Sequence, residues 1–403
     1  MTDYRGLTWD HPRGTTALRA AASRFSGEGH GHTLTWDSQP LEGFESHPIG
    51  DLCARYDLVV LDHPHLGDAL EADALRPLDE LLPDAVLQEW RAGAVGSATR
   101  SYTLDGRLWA APLDVATQVA ALHRASVPEP PRSWTAALEL AEAVPGALSL
   151  AGPHALLTYF SLCVALGDAP AVRADAVPLV GREAGVAALE AMRAFLDRCD
   201  PATAGLNPIA LLEHVADGRV AYCPFVYGYV NYASAEGSPV RFADVPRLSP
   251  GGPLGSVLGG TGLALSRRAP VTEELVGHIV WLLSAETQRG YLPRHQAQPA
   301  RREAWTDPAV NAHSGGFYAD TLATTESAWV RPRHPGYTEF QQVASELIRD
   351  GLLNGRPATA LHDDLEALHR TAAGGRAALG GGAVERLQVV VECGGRAAVQ
   401  QSV

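Results

Sequence analysis

The chain has 403 residues, more than one hydrophobic core usually supports, so its length predicts two lobes. Hydrophobic residues make up 46% and charged residues 19%, as in a soluble globular protein, and a formal net charge of −14 gives no electrostatic basis for binding nucleic acid or an anionic membrane surface. Lysine is absent, so all 32 basic residues are arginine, which excludes a P-loop lysine, a pyridoxal phosphate Schiff base and an aldolase-type imine.

In chain order, Tyr4 to Trp9 reads as a strand ending in Asp10-His11-Pro12, and Thr16 to Phe25 as a helix with Leu18, Ala21, Ala22 and Phe25 on one face. His32 to Trp36 is a second strand, Ile49 to Arg55 a helix, and Leu58 to Leu61 a short apolar strand of the kind covered on both faces. This β-α-β-α-β order implies right-handed crossovers and a parallel sheet. A parallel sheet gathers its carboxyl ends on one edge, where ligands of open α/β sheets bind. The strand ends carry Trp9, Asp10 and His11; Asp37 and Gln39; and Asp62, His63 and His65.

The middle of the chain reads as helices over Trp134 to Ala143, Ala155 to Leu166, Arg182 to Arg198 and Pro208 to Ala216, then a strand over Val220 to Tyr222. Phe225, Tyr227, Tyr229 and Tyr232 follow within eight residues. Aromatic residues two apart share a face of an extended segment and can line a pocket, and Tyr227 and Tyr229 are assigned to it. The Gly/Pro-rich stretch 246–262 leads into an apolar strand, Leu263 to Leu265, and has the composition of a lobe connector. Gly259 and Gly260 allow close backbone approach to a ligand or hinge. Helices return at Val271 to Leu283 and Thr338 to Leu353. The Gly/Ala-rich tail 372–403, with one strand-like piece over Leu387 to Val391, is excluded from the fold.

Six segments, in this order, resemble the family 1 extracellular solute-binding proteins, the maltose-binding-protein-like receptors of ABC importers. They are YDLVVLDHPHLGDALEADALRPLDELL, SYTLDGRLWAAPLDVATQVAALHR, PPRSWTAALELAE, HVADGRVAYCPF, GPLGSVLGGTGLALSRRA and QPARREAW. The resemblance spans about residues 1–370 and implies a two-lobed, type II periplasmic-binding-protein-like α/β fold with a ligand cleft between hinged lobes. It implies crossovers near 110–114 and 247–260, an N-terminal lobe of 1–112 plus 248–308, and a helix-rich lobe of 113–247 plus 309–371. It further implies a small polar ligand, often a sugar, stacked on aromatic side chains, and ABC permease subunits as partners.

On this reading Trp9, Tyr227 and Tyr229 stack on the ligand, Asp10, His11, Gln39, Asp62, His63, His65 and Asp114 hydrogen-bond it, and Gly259 and Gly260 line its approach. A second reading keeps the fold but makes the chain a cytoplasmic, cofactor-independent lyase, hydratase or isomerase, with Asp10-His11 and Asp62-His63 moving protons. Asp10 as the cap of the following helix and the histidines as caps of the next one are the structural alternatives.

His63 and His65 share a face if the strand continues, but Pro64 interrupts it and no further ligand of recognisable spacing follows, so no metal is expected. No cofactor is expected either. Five widely spaced cysteines suggest a reducing compartment; Cys53 and Cys163 read as core, and Cys223 alone falls near the expected cleft, without a base placed beside it. Arg294, His295 and Gln298, and Trp329 with Glu326, are further rim candidates. The N-terminus MTDYRGLTWDHPRG shows neither an apolar leader core nor a cleavage site, which predicts a cytoplasmic chain as written, and a periplasmic or extracellular one where a leader has been removed.

Overall fold

In the computed structural model, which describes residues 1–234 and 237–378, the first strand, β1 (Asp3–Trp9), pairs in parallel with β2 (Thr33–Gln39) and with β3 (Leu58–Leu61). Trp9 lies opposite Gln39, so the carboxyl ends of β1 and β2 meet at one edge, as the parallel pattern predicts. β4 (Ala111–His123), β5 (Tyr222–Tyr227), β6 (Val240–Ala243) and β7 (Leu258–Leu265) complete one 7-stranded sheet in the order β2-β1-β3-β7-β4-β5, with β6 also paired to β4.

β4 joins the two halves of the molecule. Its residues from Ala111 to Thr117 pair with β7, and those from Gln118 to His123 pair with β5 and β6. Two hydrophobic cores follow from this division. One gathers Tyr4, Phe25, Leu58, Trp90, Leu113, Leu263 and Leu292; the other gathers Val115, Leu156, Phe160, Phe195, Phe225, Trp305 and Ile348. A further crossing lies at Trp329, whose N–H donates to Ser256 O and whose carbonyl accepts from Leu258 N–H, each at 2.8 Å.

Most predicted helices lie where their apolar periodicity put them, including Ile49–Arg55, Trp134–Ala143, Pro208–Ala216 and Tyr337–Leu353. Three segments differ. The first helix is longer, Pro12–Gly27, because His11 caps it and Pro12 is at home in a first turn. Residues 220–221 precede β5, which holds Phe225 and Tyr227 of the aromatic run while Tyr229 and Tyr232 follow it, and the whole of β5 is buried, so it shows no alternation to read. The last helix, Ala358–Ala378, runs through Ala372 into the stretch expected to stand outside the fold. The strand expected over Leu387 to Val391 lies outside the described residues. Among the described residues no helix is long and apolar enough to cross a membrane.

Candidate functional site

The carboxyl ends of β1 and β3, the β4–β7 crossing and the end of β5 surround a half-open cavity between the two cores. Of the residues singled out from the sequence, Trp9, Asp62, Tyr227, Tyr229, Gly259 and Gly260 line it. Arg13, Leu41, Phe44, Glu45, Ala116, His154, Pro208 and Thr261 line it as well. Trp9 and Phe44 pack with ring centroids 5.4 Å apart, which makes an apolar wall.

Beneath that wall the Arg13 guanidinium grips Asp114 with two hydrogen bonds, one from Nε at 2.7 Å and one from Nη2. Its Nη1 donates to Gly228 O at 3.2 Å, and its Cζ sits 4.7 Å over the Tyr229 ring. Asp114 is thus a buried counter-ion beneath the cleft. Burial raises its carboxyl above the usual range, while Asp114 in turn raises Arg13, whose charge the burial alone would disfavour.

A second ion pair closes the other side. Arg331 reaches Asp62 through Nη2, donates from Nε to Leu258 O at 3.1 Å and from Nη1 to Gln341 Oε1 at 3.2 Å. Burial would raise the Asp62 carboxyl, but Arg331 and then His63 hold it well below the ordinary carboxylate range.

His63 is fully buried. Its Nε2 accepts from Arg331 N–H at 3.2 Å, which leaves the ring proton to Nδ1, 3.1 Å from Asp62 Oδ1. Burial, followed by the charge of Arg331, lowers its pKa to about 4, so the ring is a neutral strut at physiological pH. His65 is buried and likewise lowered by burial. The two histidines do not continue the strand. His63–His65 forms a single 3-10 turn capped by Asp62, whose Oδ1 accepts from His63 N–H at 2.8 Å. The shared strand face that would have aimed both rings at one ligand is therefore absent, and no group of three or more His, Cys, Asp or Glu among the described residues is arranged to hold a metal.

The remaining polar strand ends are occupied differently. Asp10 is exposed, accepting from Ser38 Oγ at 3.3 Å, and it is His11, not Asp10, that caps the first helix, its Nδ1 accepting from Arg13 N–H at 3.1 Å. The His11 ring lies edge-on to Tyr229 at 4.9 Å, and burial lowers its pKa to about 4. Gln39 is buried with Oε1 at 2.8 Å from His47 Nδ1. Asp10-His11 and Asp62-His63 are thus not assembled into one proton-transfer couple.

Gln298, expected at the rim, is a buried strut that donates to Val115 O at 2.6 Å and accepts from Val230 N–H at 3.1 Å. His295 stacks on Tyr291, and Glu326 pairs with Arg302 at 3.0 Å. Cys53, Cys163 and Cys223 are buried, and burial pushes all three thiols up, Cys53 to about 12, which suits core packing and not nucleophilic attack.

Several polar atoms around the cavity have no hydrogen-bond partner in the protein. Trp9 Nε1, Tyr227 Oη, Thr261 Oγ1 and both ring nitrogens of His154 are buried and unmatched. His154 Nε2 stands 3.4 Å from Glu45 Oε1, within ion-pairing reach but outside hydrogen-bond geometry. Contacts between the lobes flank the cavity: Asn207 Nδ2 donates to Glu42 Oε1 at 3.3 Å, beside the Glu45–His154 approach.

A family model described as bacterial extracellular solute-binding protein matches residues 50–314, well over half of the chain. Maltose-bound MalE3 of T. maritima superposes with a TM-score of 0.76 at 17% identity, over 92% of this chain and 99% of that one. The GacH receptor of Streptomyces glaucescens, solved unliganded and with acarbose, gives 0.75 at 16% identity over 93% and 98%. An ABC transporter solute-binding protein of Agrobacterium radiobacter in complex with ribitol gives 0.74 at 16% over 91% and 97%. These likenesses establish the two-lobed periplasmic-binding-protein-like fold. No curated protein sequence matches.

Proposed function

Because the chain belongs to the bacterial extracellular solute-binding protein family, we propose that it captures a sugar- or sugar-alcohol-sized solute between its lobes and delivers it to the permease of an ABC importer. The observation that carries this reading is the set of unmatched buried polar atoms around one cavity: Trp9 Nε1, Tyr227 Oη, Thr261 Oγ1 and the His154 ring. A buried polar group left without a partner costs about 1–3 kcal/mol, and a solute bearing several hydroxyl groups offers partners to all of them at once. The Trp9–Phe44 wall and the Tyr229 ring supply apolar faces for the C–H side of such a solute. Relatives of the same fold were solved with maltose, ribitol and tagatose, solutes of this chemistry. The permease partner and action outside the cytoplasmic membrane belong to the same reading.

Two measurements test it together. A thermal-shift screen of sugars, sugar alcohols and their aminated forms should yield a solute that raises the melting temperature, since a ligand at a hundred times its Kd adds about 2.7 kcal/mol to stability. Mass spectrometry should then recover that solute unchanged. Tyr227→Phe, which deletes only an unmatched hydroxyl, should not lower the ligand-free melting temperature and should weaken binding about tenfold. A solute recovered as a reaction product would overturn capture in favour of catalysis.

A further inference from the structure

The charges around the cavity do not balance. Arg13 is matched by Asp114 and Arg331 by Asp62, so the two guanidinium groups nearest the cavity are each neutralised by one carboxylate. Glu45 remains. It lines the cavity, its side chain is 24% exposed, and among the described residues it has no arginine partner. Its Oε1 faces His154 Nε2, a cation only when protonated, and a Cβ on Gly152 would stand 3.5 Å from its Oε2, so the carboxylate reaches across to the opposite lobe. Around it stand Trp9, Phe44, Tyr227 and Tyr229. A carboxylate without a guanidinium partner amid aromatic faces is complementary to a small ammonium group, which gains both the Coulombic partner and the electron-rich ring faces.

We infer that the captured solute is an amino sugar or a similarly aminated polyol, whose ammonium group is held by Glu45. This inference rests on the capture reading and narrows its substrate class.

The test is isothermal titration of the intact protein with matched pairs, D-glucose with D-glucosamine and D-galactose with D-galactosamine, at about pH 6.5, where the amines are protonated. The amino sugar of a pair that binds should bind at least about tenfold more tightly than its neutral counterpart. Glu45→Gln should erase that preference while retaining the neutral sugar, and Glu45→Asp and His154→Gln should keep it. Ligand-free melting temperatures check that each variant is folded. A neutral sugar binding as tightly as its amine overturns the inference and leaves capture standing. If neither pair binds, the screen described above decides. Uncharged solutes alone among its hits overturn the inference, aminated hits lost in Glu45→Gln uphold it, and an absence of hits removes capture as well.

Discussion

Replacing Arg13 with leucine would leave the Asp114 carboxylate in the floor of the cleft with no counter-charge, since both side chains are only 4% exposed. Breaking a buried pair by removing one partner costs about 3–5 kcal/mol, so Arg13→Leu should lower the unfolding free energy by that amount, read as a lower urea midpoint. An unchanged midpoint would mean that the pair is not buried in solution. A second expectation concerns acid. His11, His63 and His278 are each lowered to about 4, chiefly by burial, from an ordinary value of 6.5. Between those values the unfolded chain binds protons that the folded chain refuses, so stability falls as pH drops from 6.5 towards 4. Urea midpoints at about pH 7 and pH 5 should show the loss, and His63→Gln, which keeps an acceptor for Arg331 N–H, should reduce it. Of the residues lining the cavity, Trp9, Asp62, Tyr227 and Tyr229 were legible because strand ends and aromatic runs announce themselves locally. Arg13 was not, because its partner Asp114 lies 101 residues away and nothing near either one in the chain signals the other. Glu45 and His154 were equally silent, one in a short helix and the other at a helix start, and both acquire meaning only when the lobes meet.

At the scale of elements, the β4–β7 crossing beside the cavity depends on glycine. Gly260 holds φ at +104, and a Cβ there would lie 2.4 Å from Asp114 O and 2.8 Å from Val115 Cα. Gly260→Ala therefore meets a conformational and a steric cost together, and should destabilise by about 1–3 kcal/mol or more, read as a lower unfolding midpoint. Its neighbour Gly259 has ordinary dihedrals, but a Cβ there would come within 2.6 Å of the Tyr227 ring, so closeness to that ring fixes this position. Helices were the most legible elements because their apolar spacing is a property of the segment itself. Elements whose burial is imposed from outside were less so. β5 is covered throughout, so its length could not be read from alternation, and the turn His63–His65 follows from Asp62 capping it rather than from any pattern in the two histidines.

For the whole molecule, the contacts across the cleft describe a closed arrangement: Arg13 to Gly228 O, Asn207 to Glu42, and Glu45 against His154. With the His11 ring and the Arg13 guanidinium against Tyr229, these polar contacts bridge the cleft. Without solute the lobes should part about the β4 and Trp329 crossings, and small-angle scattering should record a radius of gyration that contracts on adding a bound solute. Identical scattering with and without solute would mean a permanently closed cleft. The sheet that spans both lobes also sets an order in time. β7 lies between β3 and β4, yet it is made last of the three, beginning at Leu258 when β4 has been complete since His123. A ribosome that has released 250 residues has thus delivered both neighbours of a strand that does not yet exist. Until it arrives, the β3 and β4 edges that it will fill remain without their partner, and the nascent chain must be kept from pairing them with each other or with another molecule.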